Sequence, residues 1–301
     1  MTNKFLIVVV GPTAIGKTIL SIEIAKQLNT EIISADSRQF FRELNIGTAK
    51  PLPQELSQIK HHFINSHSIS QNYNVGMFET EAISFIDNFF KTNNTLLLTG
   101  GSGLYIDAVC KGIDDFPPAD ALLREELTNN LKKNGIADIQ NLLKKLDFIH
   151  YEKADLSNPH RIIRALEVCL LTGKPYSSFR KNTAKKRNFN ILKIGLTVER
   201  NQLYEKINQR VDAMMQQGLL QEVEHLIPYK NNQALQTVGY KELFDYLDNK
   251  IDLQTAINLI KQNTRRYAKR QLTWFRKDAE INWFSPAAAT DVMNHINAKL
   301  Y

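Results

Sequence analysis

Gly11-Pro-Thr-Ala-Ile-Gly-Lys-Thr18 follows directly on Phe5-Leu-Ile-Val-Val-Val10. The octapeptide fits G-x-x-x-x-G-K-[ST], the pattern of a phosphate loop, and its flanks supply the setting such a loop needs. The run before it is short, apolar and β-branched, which predicts a buried strand. Ile19-Leu-Ser-Ile-Glu-Ile-Ala-Lys-Gln-Leu28 carries apolar residues at helical spacing, which predicts a helix. Gly11 and Gly16 let the backbone curl so that its N–H groups face phosphate oxygens, and the positive end of the following helix adds to that field. Lys17 offers a mobile charge to a terminal phosphate, and Thr18 a hydroxyl to Mg²⁺. A plain glycine turn before a helix is the alternative, and the strand and helix on either side weigh against it. The loop specifies phosphate; it does not specify a nucleotide.

The 301 residues suffice for one large core or for a core with an inserted domain. Hydrophobic residues at 43% and charged residues at 23% describe an ordinary globular chain. A formal charge of +7 is weak evidence for a polyanionic partner until its distribution is known. The two cysteines, Cys110 and Cys169, lie far apart and fit a reducing compartment as buried fillers. The N-terminal apolar run is too short for a signal-peptide core and nothing later approaches a membrane span, so a cytoplasmic protein without membrane contact is expected.

Downstream of the first helix, Glu31-Ile-Ile-Ser34 reads as a second strand leading to Asp36-Ser-Arg-Gln39. A carboxylate at a strand's C-terminal end belongs to the ligand edge of a parallel sheet. Asp36 therefore suits a general base or metal ligand, with a helix N-cap as the bland alternative. The Gln39 amide could read an adenine edge through two hydrogen bonds. Gly47 and Pro51 mark a loop carrying Thr48 and Lys50. His61 and His62 are adjacent, so on a strand they point to opposite faces and would not readily share a metal ion. A helix is expected over Phe78–Lys91, burying Ile83, Phe85, Ile86, Phe89 and Phe90. Thr95-Leu-Leu-Leu-Thr99 reads as a buried parallel strand that ends in Gly100-Gly-Ser-Gly-Leu-Tyr105. An ATPase commonly places a magnesium-organising Asp at such a strand end; a glycine turn bearing Ser102 stands there instead, which argues against ordinary nucleotide hydrolysis.

From about Asp114 the texture turns helical, over Ala121–Lys133, Ile136–Leu146 and the segment after Pro159. Arg161 and Arg164 sit near the start of that last helix, where cations oppose the dipole, so an anion is expected there, with a solvated helical face as the competing account. Lys181-Asn-Thr-Ala-Lys-Lys-Arg187 reads as a basic linker. Ile191-Leu-Lys-Ile-Gly-Leu196 returns to strand, and helices over Gln202–Gln217 and Leu219–Ile227 follow. In Thr264–Lys277, positions 266, 269, 270, 273 and 277 share a face rich in positive charge while Leu272 and Phe275 turn inward. That face is the footprint expected of a contact with a phosphate backbone.

Taken in order, these stretches, with His160-Arg-Ile-Ile-Arg-Ala-Leu-Glu167 and Val238-Gly-Tyr-Lys-Glu242, resemble the tRNA dimethylallyltransferase (tRNA isopentenyl transferase) family. No Cys/His zinc module follows the core, so the resemblance is to the bacterial form. Departures are modest: Ile15 where a small residue is commoner, Asp147-Phe where Asp-Pro is commoner, and His160 where Gln or Arg is frequent.

The resemblance implies an α/β fold: a P-loop NTPase-like parallel sheet flanked by helices, with an inserted all-helical domain that helps clamp the anticodon arm. Residues 1–113 and 190–301 would form the core and 114–189 the insertion. It implies transfer of a dimethylallyl group from dimethylallyl diphosphate to the exocyclic amine of the adenosine 3′ to the anticodon, with Mg²⁺. Gly11, Pro12, Thr13, Ala14, Ile15, Gly16, Lys17 and Thr18 would hold the diphosphate, and Thr18 the metal. Asp36, Thr13 and Arg210 would be catalytic. Asp36, Ser37, Arg38, Gln39, Ser102, Arg124, His160, Arg161, Ile162, Ile163 and Arg164 would meet tRNA. A monomer is expected. A P-loop nucleoside or nucleotide kinase is the rival reading, since it would share the loop and Asp36.

Overall fold

The computed structural model describes residues 3–181 and 183–301. The chain divides into two compact units, Met1–Cys110 with Lys186–Tyr301, and Lys111–Lys185. The division falls a few residues before the expected boundaries, and side-chain bonds explain the second. Arg187 is tied into the first unit by donating to the carbonyls of Ala108 (2.6 Å) and Val109 (2.8 Å) and to Glu79 Oε1 (2.9 Å). Lys185 instead pairs with Asp115 at 2.9 Å inside the second unit. The end of the basic 181–187 run is thus an anchor, not a linker; Asn182 lies outside the described residues.

The first unit is built on six parallel strands: β1 (Phe5–Val10), β2 (Ile32–Ser34), β3 (His61–His62), β4 (Thr95–Gly100), β5 (Asn190–Leu196) and β6 (Ile281–Phe284), in the order β3-β2-β4-β1-β5-β6. The central β1 is covered on both faces, which is why it is a continuous apolar run rather than an alternating one. Leu6, Val8 and Val10 face a cluster with Phe78, Ile86 and Val109. Ile7 and Val9 face the other, with Leu20, Ile24, Ile207 and Val292. Val10 pairs in register with Gly100 on one side and Gly195 on the other, so the phosphate loop leaves the sheet beside the glycine turn after β4.

The expected helix at 78–91 runs instead over Val75–Phe89 because Asn74 caps it, accepting from the N–H groups of Gly76 and Met77. Ile83, Phe85 and Phe89 are only partly buried, whereas Phe78, Glu79, Ala82 and Ile86 are buried. A third cluster joins Phe41 and Leu44 to Val211, Leu219, Tyr240 and Ile260. It unites four helices: Arg200–Gln216, Leu219–His225, Tyr240–Leu247 and Leu253–Phe275.

The second unit packs the helices Ala121–Asn134, Ile136–Leu146 and Pro159–Thr172 around Leu127, Ile139, Leu143, Ile162 and Leu166. Among the described residues, no helix is long and apolar enough to cross a membrane.

Candidate active site

The phosphate loop is bent as its sequence requires. Ala14 (φ 62°) and Gly16 (φ 103°) both adopt left-handed backbone, and Gly16 caps the helix Lys17–Gln27. Lys17 Nζ lies back over the loop and donates to the carbonyls of Gly11 (3.0 Å) and Pro12 (2.7 Å). Burial pulls its pKa down to about 7, the charge of Arg210 pushes the same way, and Asp36 opposes both. Arg210 reaches the loop from the helix Arg200–Gln216, donating to Thr13 Oγ1 at 3.3 Å.

Asp36 stands just beyond β2, accepting from Arg38 N at 3.0 Å. Ser102, in the turn after β4, accepts from Ser37 N (3.0 Å) and donates to Ser37 Oγ (3.2 Å). A cavity of about 710 Å³ holds Thr13 through Thr18 together with Asp36, Thr99 and Arg210 in its wall. A second, of about 420 Å³, is lined by Asp36, Ser37, Arg38, Thr264 and Arg270. The two share Thr13, Asp36, Thr48, Ala49, Arg210, Met214 and Tyr267, so the carboxylate and the arginine stand where they adjoin.

Three polar residues outside the expected set hold this arrangement. Gln271, 5% exposed, accepts from Thr13 N–H at 2.9 Å and donates to the Gly101 carbonyl at 2.8 Å. Tyr267, one turn earlier, is hydrogen-bonded to Ser102; burial, then the charge of Asp36, raises its pKa to about 12. Glu222 accepts from the N–H groups of Asn45 (3.1 Å), Ile46 (2.7 Å) and Gly47 (3.1 Å) and from Tyr240 Oη (2.6 Å). It thereby fixes the Gly47–Pro51 loop. All three are ordinary polar residues in sequence, and only the helical position of Gln271, on the inward side of the basic helix, gave a hint.

Several expected RNA contacts are engaged elsewhere. Gln39 Nε2 donates to the carbonyls of Thr48 and Ala49, both at 3.2 Å, and its Oε1 accepts from Ser34 Oγ at 3.2 Å. It braces a loop rather than presenting a free amide to a base. In the second unit, Ile162 (0% exposed) and Ile163 (5%) are core residues, so their side chains do not reach solvent. The apolar spacing of Ile162, Ile163 and Leu166 on one helix was the available signal. Arg124 (2.6 Å) and Arg164 (3.0 Å) both pair with the fully buried carboxylate of Glu167. Burial alone would raise that carboxyl, and the bonds from the two arginines outweigh it and hold its pKa below the ordinary value. For Arg164, though not for Arg161, a side chain of the protein itself supplies the anion expected at this helix start. His160 and Arg161 are exposed. On the basic helix, Arg266, Lys269, Arg270, Thr273 and Lys277 are all exposed, while Gln271 and Phe275 are buried.

His61 and His62 go to separate partners, the Ile59 carbonyl (2.8 Å) and Glu31 Oε2 (2.5 Å). Among the described residues, no three His, Cys, Asp or Glu side chains gather as a metal-binding group.

A phosphate loop that shares a cavity with a carboxylate and an arginine, with a glycine turn where an ATPase commonly has a strand-end Asp, defines a phosphate-loop protein with a site built for an anion beside a carboxylate. The comparisons with known proteins make that class particular. A family model for IPP transferase matches residues 39–278. The chain is 50% identical to the tRNA dimethylallyltransferase of Christiangramia forsetii over 99% of each chain. It is 47% identical to tRNA dimethylallyltransferase 1 of Bacteroides fragilis over the full length of both. Among solved structures, the full-length tRNA isopentenylpyrophosphate transferase of Bacillus halodurans superposes with a TM-score of 0.72 at 38% identity, over 99% of this chain and 97% of that one. A eukaryotic dimethylallyltransferase acting on tRNA gives a TM-score of 0.79 at 30% identity, over 96% and 75%. The chain belongs to the tRNA dimethylallyltransferase family, which are prenyltransferases, and the kinase reading falls away.

Proposed function

We propose that the protein transfers a dimethylallyl group from dimethylallyl diphosphate to the exocyclic amine of the adenosine 3′-adjacent to the anticodon of tRNA, releasing diphosphate. The observation that carries this reading is that Asp36 and Arg210 stand where two cavities adjoin, one of them walled by the phosphate loop.

An aromatic amine is a poor nucleophile, and an allylic carbon tolerates positive charge. The barrier therefore yields to two actions: removing the amine proton and stabilising the departing diphosphate. Lys17, the Thr13 hydroxyl and Arg210 supply the second, and losing one such preorganised donor typically costs about 10²–10³ in rate. Asp36 supplies the first, an action worth on the order of 10²–10⁴. Its Oδ1 accepts from Arg38 N, which fixes the carboxylate's direction. The adenine must leave its stack to reach Asp36, at a cost of about a few kcal/mol, and the exposed cations of the basic helix would offset this by holding the backbone.

The donor set suits a magnesium ion carried on the diphosphate, since Mg²⁺ is usually held by one or two protein groups, phosphate oxygens and water. Thr18 would hold it, and it would offset charge on the leaving group. We further propose a monomer in the cytoplasm, where buried thiols such as Cys110 and Cys169 stay reduced.

The test is transfer of labelled dimethylallyl groups to an anticodon stem-loop by wild type and Asp36→Ala. The variant is expected to bind the RNA normally and lose at least a hundredfold in turnover. Turnover within threefold of wild type would remove Asp36 from the role.

A further inference from the structure

The helix Leu253–Phe275 carries Tyr267, Arg270 and Trp274 at spacings of three and four, so they share one face. Tyr267 belongs to the wall of both cavities beside Asp36. Arg270 lies over the Tyr267 ring, 5.7 Å from its centroid, and lines the second cavity. Trp274 is 40% exposed and lies about 10 Å along the helix axis from Tyr267, seven residues at 1.5 Å each.

Trp274 is anchored at two points. Its Nε1–H donates to Asp107 Oδ2 at 2.9 Å, which satisfies its one polar group. One side of the indole lies so close over Gly103 that a Cβ there would come within 2.4 Å of the ring. What the tryptophan offers outward is apolar π surface. Leu104, next to Gly103 in the chain, is itself 48% exposed. The surrounding charge is positive: Arg266, Lys269, Arg270 and Lys277 are all exposed. An anchored aromatic face among cations, on the same helix face as Tyr267 and Arg270 of the second cavity wall, matches one occupant by shape and charge, an unpaired nucleotide of the strand whose base enters that cavity.

We propose that Trp274 is the stacking platform for the nucleotide next to the adenosine drawn toward Asp36, with Arg270 holding the phosphate between them. This rests on the transferase reading above. A base removed from its stack leaves its neighbour with one face uncovered, and Trp274 covers it. The platform thus offsets part of the cost of flipping, and it fixes how far the strand advances into the second cavity.

The experiment uses an anticodon stem-loop with 2-aminopurine at the nucleotide flanking the reactive adenosine. Binding to wild type is expected to quench its fluorescence, and binding to Trp274→Ala to leave it bright. Trp274→Ala is expected to raise the KM for the RNA roughly 5- to 150-fold, the range that losing one stacked base produces. The KM for dimethylallyl diphosphate should stay within about twofold. Trp274→Phe keeps a ring over Gly103 and should retain most of the quenching and most of the affinity, which separates stacking from a folding defect. Equal quenching by wild type and Trp274→Ala would overturn the platform while the transferase reading stands. A wild-type protein that labels no tRNA would overturn both.

Discussion

At the scale of single residues, Lys17 shows how the fold prepares a charge for an anion. Its ordinary pKa is 10.5, and burial with the nearby Arg210 charge brings it to about 7. Above that value the lysine of the free loop is largely neutral. A bound diphosphate favours the protonated form and raises the pKa again, so binding takes up a proton between the two values. The sign follows: the contribution of Lys17 to the affinity for inorganic diphosphate, read as the difference from Lys17→Arg, is full below pH 7 or so and falls as pH rises above it, by at most about tenfold per pH unit. Calorimetry at pH 8 in two buffers of different ionisation enthalpy should report close to one proton taken up. Lys17→Arg, which does not titrate in this range, should abolish the uptake. Binding at pH 8 without proton uptake in wild type would mean that Lys17 stays charged in the free loop.

At the scale of elements, the helix Leu253–Phe275 does two things at once. Its outward side carries the cations, and its inward side inserts Gln271 between the phosphate loop and the turn after β4, bonding Thr13 at 2.9 Å and Gly101 at 2.8 Å. Gln271→Leu leaves a part-buried N–H and a buried carbonyl unpaired, at up to about 1–3 kcal/mol for each group. Urea unfolding should show the midpoint lowered at constant slope. Turnover should fall as well, because Thr13 is the residue that Arg210 reaches; an unchanged midpoint would show that water replaces the amide. This helix also marks where reading the sequence stops. The phosphate loop, β1, β4 and the outward cations are legible because each is a local pattern of glycine, periodicity or charge. The bond from Gln271 to Thr13 joins residues 258 apart, and nothing local announces it. The same holds for Gln39, whose amide is used up by Thr48 and Ala49, and for Glu222, which gathers three N–H groups of a distant loop. Polar residues in a sequence show which bonds they can make, and only the fold decides whether a neighbour or a ligand receives them.

At the scale of the molecule, two groups of cations differ in what holds them. Arg124 and Arg164 are committed to Glu167, Arg187 to Glu79, and Lys193 to Asp278 and Glu280. These pairs stabilise the units. Arg266, Lys269, Arg270, Arg276 and Lys277 are exposed along one helix and its end. Binding of tRNA along this helix should release counterions in proportion to the phosphates this second group engages. Four phosphates engaged there would give a slope of roughly −3 in log affinity against log salt. Lys269→Ala or Lys277→Ala should each flatten the slope by about 1 and leave the melting temperature unchanged. Arg187→Ala removes one partner of a pair whose side chains are each 10% exposed, so it should cost about 3–5 kcal/mol in stability and leave the salt slope intact. Filter binding across roughly 50–300 mM salt, with thermal melts of the same variants, distinguishes the two groups. A slope that is flat in wild type, or that changes with Arg187→Ala and not with the lysine variants, would move the RNA away from this helix.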